Sequence, residues 1–406
     1  MSNSLLTPSV IAKEMLLQFK NGMGFSRNVD KSYSKDFAKK GAKIGSSERI
    51  RKPNRFTTTS GANYSAQDVT EDSFTLTIDT QKHVDFEFLS SDLTLTVDDF
   101  SERYAKPAAL ALVNQVDLDG TTKAVKNVAN AAGTAGTTPS AILTYLEGIQ
   151  KIYESAGPQD DMYSYIINPA AQTKIVDALK GLFADQSEIS KQYKRGIMGI
   201  AAGGEWSMSQ NLYAYTSGAQ GGTPLTSGTQ TEGASTLVTK GWTAAAANRL
   251  KAGDVFTIAG INKVNPITKQ DTGQLQQFVA TADFASDGSG NGSVSISPPL
   301  YSSASGSLQN ISALPADGTA MTILQGASTV TANNLVMHKS AFSLAYVPLE
   351  MPQGVDFSAV ETDPDTGISL RLARQWDITS DKFKTRVDVM YGWGIARPEW
   401  ACKILG

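Results

Sequence analysis

The chain has little of what does chemistry. A single cysteine, Cys402, in 406 residues excludes an internal disulfide framework and any cysteine-based zinc site. The two histidines, His83 and His338, lie too far apart in sequence for an H-E-x-x-H helix, so no metal site is expected. Charged residues make up only 18%, and the formal net charge is −3, which leaves no bulk field toward nucleic acid or membrane. No apolar run reaches the roughly 18 residues of a membrane span. Lys13-Glu14 interrupts the first apolar stretch and no basic stretch precedes it, so no secretion signal is expected. There is no Gly-Lys dipeptide for a Walker A loop and no G-x-S-x-G hydrolase elbow. The expectation is a soluble chain kept in a reducing compartment, without catalytic residues, metal or cofactor. It is long enough for two to three domains.

What charge there is has been sorted. Residues 1–60 carry twelve bases and four acids; residues 61–120 carry three bases and twelve acids. Opposite blocks of this size can pair within one chain or between copies, where they act through steering and register. The candidates for contact between subunits are Lys39, Lys40, Lys43, Arg49, Arg51, Lys52 and Arg55 on the basic side. On the acidic side they are Asp98, Asp99 and Glu102.

Local patterns give elements. Thr7 and Pro8 suit the start of a helix over 8–19 with Val10, Ile11, Met15 and Phe19 as its stripe. The basic, glycine-containing stretch 20–47 offers that stripe no evident cover, so it docks on another chain or on its own body. Phe74, Leu76 and Ile78, then Val84, Phe86 and Phe88, alternate with polar residues. With Arg49-Ile50-Arg51 they predict a long hairpin with its tip in 57–72, marginal without a partner surface. Asp98, Asp99 and Glu102 suit the positive end of a helix over 99–130. Its stripe reads Tyr104, Ala108, Ala111, Gln115, Leu118, Thr122, Val125 and Ala129, with irregularity expected at Pro107 and Gly120. A helix over 139–156, a strand over 162–167, a helix over 169–183 and a short amphipathic helix near 185–194 follow.

From 218 to 330 the composition changes: eleven charges in 113 residues, and fifteen of the 35 glycines. Short strand patterns (237–238, 254–259, 275–284, 293–297, 321–324) predict an inserted all-β module, barrel or sandwich, because α/β patterning resumes at Leu335-Val336-Met337. Strand-like alternation returns at Ile368–Leu372 and Val387–Val389. Glycines 288, 290 and 292 read as a hairpin tip, His83 as an ordinary strand residue, Cys402 as a buried inert thiol, and Asp160-Asp161 as exposed turn residues. A surface-exposed glycan-binding β domain is the alternative reading. It would need an aromatic platform, for which 218–330 offers Trp242, Tyr301 and a few Phe.

An ordered set of segments resembles the coat proteins of short-tailed double-stranded-DNA bacteriophages. The set is Leu5-Leu6-Thr7-Pro8, Arg49-Ile50-Arg51-Lys52-Pro53, His83-Val84-Asp85-Phe86, Asp98–Tyr104, Ile167–Ala171, Leu250–Phe256 and Asp363-Pro364-Asp365-Thr366-Gly367. The resemblance implies an α+β fold, the tailed-bacteriophage major capsid fold with an inserted telokin-like all-β domain. It divides the chain into an N-terminal arm at 1–45, an extended β loop at 46–88 and a peripheral domain with a long spine helix at 89–136. The axial domain follows at 137–217 and 331–379 around the insertion at 218–330, with C-terminal strands at 380–406. It implies a non-enzymatic, self-assembling virion protein forming hexamers and pentamers of an icosahedral shell. The arm and loop would overlap neighbours. A scaffolding protein, a portal protein and packaged double-stranded DNA, bound non-specifically on the inner face, are the other implied partners, with assembly in the host bacterial cytoplasm and no membrane. No built-in scaffold segment is expected ahead of the arm.

Overall fold

The computed structural model describes residues 8–34, 47–56, 58, 60–64, 66, 71–89, 104, 106–160, 162–179, 199–244, 247–364 and 366–406. In chain order its elements begin with α1 (Pro8–Gly22), β1 (Ser47–Arg51), β2 (Ser73–Thr77), β3 (Thr80–Leu89) and α2 (Lys106–Asn127). Then come β4 (Ala131–Gly133), α3 (Ile142–Glu154), β5 (Tyr163–Ile167), α4 (Pro169–Leu179), β6 (Ile200–Ala201), β7 (Gly204–Met208) and β8 (Ala214–Thr216). The inserted segment holds β9 (Gly222–Thr226), β10 (Thr236–Trp242), β11 (Asn248–Leu250), β12 (Val255–Val264), β13 (Asp271–Ala280), β14 (Phe284–Ala285), β15 (Gly292–Ser297) and β16 (Met321–Ile323). The chain finishes with β17 (Val330–His338), β18 (Phe342–Tyr346), β19 (Phe357–Thr362), β20 (Ser369–Asp377), β21 (Lys382–Ile395) and β22 (Ala401–Leu405).

Two compact units divide these elements. The first comprises Met1–Ile50, Phe74–Gly120 and Phe342–Gly394. Its sheet runs β18-β21-β20-β19, with β3 also on β21. The period-2 pattern explains the register: Val84 faces Val387, while Asp85 faces Arg386 and Glu87 faces Lys384. One face thus joins a core through Leu370, Leu372, Val387 and Val389, all buried, and the other becomes a lattice of charge. On that charged face Asp388 is fully covered, accepting from Arg371 Nη2 at 2.8 Å and Arg386 Nε at 2.6 Å.

The long helix differs from the sequence expectation. Over the described residues it runs unbroken from Lys106 through Gly120 to Asn127; residues 98, 99 and 102, at its expected start, lie outside the described residues. Its buried face is Ala108, Ala109, Leu112, Val113, Val116, Asp117, Thr121, Ala124 and Val125, whereas Ala111, Leu118 and Thr122 of the expected stripe point outward or stand half-buried. Ala108 and Val125 of that stripe are buried as expected, and the irregularity expected at Gly120 is absent. α3 likewise starts later than Pro139: Ala141 is extended (φ −105°, ψ 138°) and caps it without a side-chain bond. The amphipathic stretch near 185–194 lies outside the described residues.

The second unit comprises Arg51–Ser73, Thr121–Ala341 and Ile395–Gly406. Its α/β body is a sheet in the order β4-β22-β17-β5-β7-β6, with β8 on β17. The central strand Tyr163–Ile167 is buried throughout, as an uninterrupted Tyr-Ser-Tyr-Ile-Ile run flanked on both sides should be. Tyr145, Ile149 and Ile152 of α3 cover it together with Trp206, Val336 and Ile404. Each such side chain contributes about 1.5–3 kcal/mol relative to exposure.

The inserted strands form a sheet in the order β16-β12-β13-β15-β10-β9. A bridge between Leu225 and Ala320, and the bond from Thr226 N–H to the Thr319 carbonyl at 2.9 Å, join its two ends. These strands close on themselves as a barrel. Phe256, Ile258, Phe278, Val294, Ile296, Leu237 and Trp242 fill it.

Candidate assembly interface

The loop between β1 and β2 belongs to the second unit and is pinned at its base by ion pairs. Lys52 N–H donates to the Asp72 carbonyl at 2.8 Å, and Lys52 Nζ reaches the Asp72 carboxylate at 3.0 Å. Arg51 pairs with Glu71 at 3.3 Å and Arg55 with Glu399 at 3.1 Å. These three candidate bases therefore meet acids of their own chain; Arg49 stands exposed on β1. Ion pairs with this much water around them contribute about 0–1 kcal/mol each. Lys39, Lys40, Lys43, Asp98, Asp99 and Glu102 lie outside the described residues. Beyond the base, Phe56 is 64% and Tyr64 93% exposed. The loop presents aromatic surface that its own chain leaves bare.

The arm, in contrast, is covered at home. Ala12, Met15 and Phe19 of α1 are buried, with the Phe19 ring edge-on to Tyr346 at 6.2 Å. Lys20 reaches Asp363 at 3.0 Å, and a parallel bridge joins Asp30 to Ser343. Asp117 is the hub: its carboxylate accepts from the backbone N–H groups of Gly24, Phe25 and Ser26 at 2.8, 3.2 and 2.9 Å. Burial raises its pKa against the pull of these bonds. The sequence reading found no cover for the α1 stripe because the cover comes from residues more than 300 positions on. An acid between Val113, Val116 and Thr121 on an apolar helix face was the available signal for Asp117.

Buried polar groups also seat the barrel on the α/β body. The Gln277 side-chain amide donates to the Ala131 carbonyl at 3.0 Å and accepts its N–H at 2.8 Å, so one side chain completes the edge of β4. Asp254 accepts from Gly218 N–H, Lys251 N–H and the Tyr215 hydroxyl at 2.9, 2.8 and 3.0 Å, bracing the place where the chain enters the insertion. A Cβ at Gly218 would stand 2.2 Å from the Arg249 carbonyl oxygen, so only glycine passes there. Val255 and Val279 of the barrel share a small core with Ala129, Ala131 and Leu405.

The remaining singled-out residues are structural. Cys402 is buried, and burial pushes its thiol up to about 12. Asp160 stands in a turn but holds the buried His338 through Nε2 at 3.1 Å. Asp287 tethers the glycine-rich turn by accepting from Ser289 and Asn291 N–H. His83 lies in β3 beside Asp85. Trp242 belongs to the barrel core at 4% exposure, which removes it from any sugar-binding platform.

Comparison with known proteins follows the same line. No curated protein matches the chain. Among solved structures it is similar to Mycobacterium phage Che8 at 13% identity, covering 94% of this chain and 90% of that one with a TM-score of 0.46. The capsid of Ralstonia phage GP4 matches at 8% identity, over 95% and 91% of the two chains, with a TM-score of 0.45. The CUS-3 coat protein I-domain matches at 31% identity over 25% of this chain and 95% of its own, with a TM-score of 0.19. The family model described as P22 coat protein, gene protein 5, matches residues 2–406. With the model matched over nearly its whole length, the chain belongs to the P22 coat protein family and is a tailed-phage major capsid protein, a virion component that assembles with its own copies into an icosahedral shell.

Proposed function

We propose that this chain builds its shell by way of a scaffold-guided precursor in the host bacterial cytoplasm. Hexamers and pentamers close around a portal protein, and the shell expands as double-stranded DNA is packed, non-specifically, against the inner face. The observation that carries this reading is the loop 51–73, ion-paired at its base, whose Phe56 and Tyr64 lack cover. Such a segment gains its cover from a neighbour, and heterologous contacts of that kind close into rings.

The division of the chain into arm (1–45), loop (46–88), peripheral (89–136), axial (137–217 and 331–379), inserted (218–330) and C-terminal (380–406) parts belongs to the same proposal. So does a role between subunits for Lys39, Lys40, Lys43, Arg49, Arg51, Lys52, Arg55, Asp98, Asp99 and Glu102. The test is expression of the full chain with and without a scaffolding protein, followed by negative-stain imaging. Closed particles of uniform size with scaffold, and aberrant or fewer particles without it, are expected. A compact monomer resistant to protease in both conditions would overturn the reading. DNA binding by emptied shells should weaken steeply with salt if the inner face meets phosphate.

A further inference from the structure

Two lysines at the seat of the barrel are buried with no ion pair to a carboxylate among the described residues. Lys403, in the middle of β22, is fully covered, and its Nζ donates to the carbonyls of Gly253 at 2.7 Å and Val125 at 3.1 Å. Lys263, on β12, is 8% exposed; its Nζ donates to the Lys151 carbonyl at 2.7 Å and Asn130 Oδ1 at 3.3 Å. The two helix carbonyls are placed alike. Val125 lies in the last turn of α2 and Lys151 in the last turn of α3, at the negative end of each helix dipole, and the Lys151 carbonyl accepts from the Ser155 hydroxyl at 3.0 Å as well. Each lysine therefore ties a helix end to the barrel or its seat: Lys403 spans from β22 to the barrel's Gly253, and Lys263 reaches out of the barrel to α3.

A charge in such a place has lost its water, and helix-end carbonyls replace that water only in part. An amine that sheds its proton keeps two N–H donors and can still hold both carbonyls. We propose that the seat of the barrel is a proton-linked joint, in which Lys403 and Lys263 are charged when the joint opens to water and give up protons when it closes.

Burial lowers Lys403 to about 7 and Lys263 to about 8, both from 10.5. The groups facing Lys403 are Asp254 from the barrel and Cys402 from its own strand, both acting to raise it. Those facing Lys263 are Glu154, Cys402 and Glu399, which raise it, and Lys151, which lowers it. Burial outweighs them in both cases. Asp254 is itself raised by burial, so it charges late and only partly offsets Lys403.

The sign follows. An open joint exposes both amines, which then bind protons up to pH 10, whereas the closed joint releases them from about pH 7 upward. Closure therefore tightens as pH rises from 7 to 10 and is weakest at pH 7 and below. One proton changes the opening equilibrium by up to tenfold per pH unit.

The experiment is hydrogen exchange on the full-length subunit, corrected for intrinsic rates, at pH 6, 7, 8 and 9, following the amides of Ala131–Gly133 and Gly253–Val255. At least a tenfold gain in protection from pH 7 to pH 9 is expected, with little change from pH 6 to pH 7. Lys403→Met should remove most of the gain, and Lys403→Arg, which stays charged, should lose protection at every pH. Protection that does not vary with pH in the unaltered chain overturns the proposal even if neither variant folds. An undiminished gain in a folded Lys403→Met chain does the same.

Discussion

The indole of Trp393 occupies the space where a side chain at position 120 would begin: a Cβ on Gly120 would stand 2.4 Å from Cζ2 of the ring. That ring lies in the first unit against Phe25 at 5.2 Å, tilted by 37°, and Phe25 meets Phe342 at 5.7 Å. Alanine is ordinarily the better helix former by about 1 kcal/mol. Here the added methyl must displace a buried indole, which costs about 1–3 kcal/mol. Gly120→Ala should therefore destabilise the subunit, read as a lower urea midpoint at unchanged slope by tryptophan fluorescence. A raised midpoint would show that the ring has room to move.

Asp117 supplies the second expectation. Asp117→Ala leaves the N–H groups of Gly24, Phe25 and Ser26 facing an apolar helix, at about 1–3 kcal/mol for each donor left dry. Because all three belong to the turn after α1, the loss should appear first as release of the arm. Trypsin should cut at Lys20, Arg27 or Lys31 well before the rest of the first unit unfolds. Asp117→Asn keeps an acceptor and should fall between the two. Equal cutting in all three proteins would mean that α1 packing alone holds the arm.

The extent to which these features were legible follows from how local their causes are. The all-buried β5 and the alternation in β3 and β21 are written in neighbouring residues, and those elements stand where the sequence put them to within a few positions. In α3 the expected stripe Ile142, Leu146, Ile149 and Tyr153 keeps only Ile149 buried, because Tyr145, Gly148 and Ile152 turn inward while Leu146 and Tyr153 are exposed. Lost charge and added glycine marked the stretch that carries β9–β16 as strand-rich, without deciding between barrel and sandwich. Asp117, Lys403 and Gln277 carried no such mark, because each polar side chain is satisfied by backbone far away in sequence, and nothing nearby names its partner. A lysine inside Ala-Cys-Lys-Ile-Leu was nonetheless a visible anomaly. β12 was read too short, at 254–259; the strand continues past Gly260 to Val264, with its register shifted between Thr257 and Asn262. The pairing of Arg55 with Glu399 joins positions that no charge count of adjacent blocks could connect.

Gln277 offers a test of how the edge of β4 is completed. Gln277→Ala orphans both the N–H and the carbonyl of Ala131, and about 1–3 kcal/mol is the expected cost. Gln277→Glu at neutral pH can still accept the N–H but cannot donate to the carbonyl. The Ala131 amide should then exchange fast in the alanine variant and remain protected in the glutamate variant, although both are destabilised. Loss of protection in both to the same degree would indicate that Val255 and Val279, rather than the amide, seat the barrel.

The charge at the loop base separates two roles that the sequence left entangled. Lys52 and Asp72 lie 3.0 Å apart within one chain, so Lys52→Asp removes an internal contact and at the same time reverses a charge that a neighbour would feel. Exchanging both, Lys52→Asp with Asp72→Lys, restores the internal pair and reverses its polarity at an unchanged net charge. If the pair only fixes the loop base, the single variant should assemble poorly and the double variant near normally, with particle yields compared by sedimentation at 50 and 300 mM salt. If the field across subunits matters, the double variant should stay deficient at low salt and recover partly as salt screens the mismatch, because exposed charges farther apart than the Debye length, about 10 Å at 0.1 M and shorter at higher salt, are largely screened. Circular dichroism keeps both outcomes interpretable, since each requires a folded subunit. The internal energy at stake is only about 0–1 kcal/mol, too little to unfold a chain with two cores of its own. A strong assembly defect in the single variant with unchanged thermal stability would therefore place the effect in the shell rather than in the subunit.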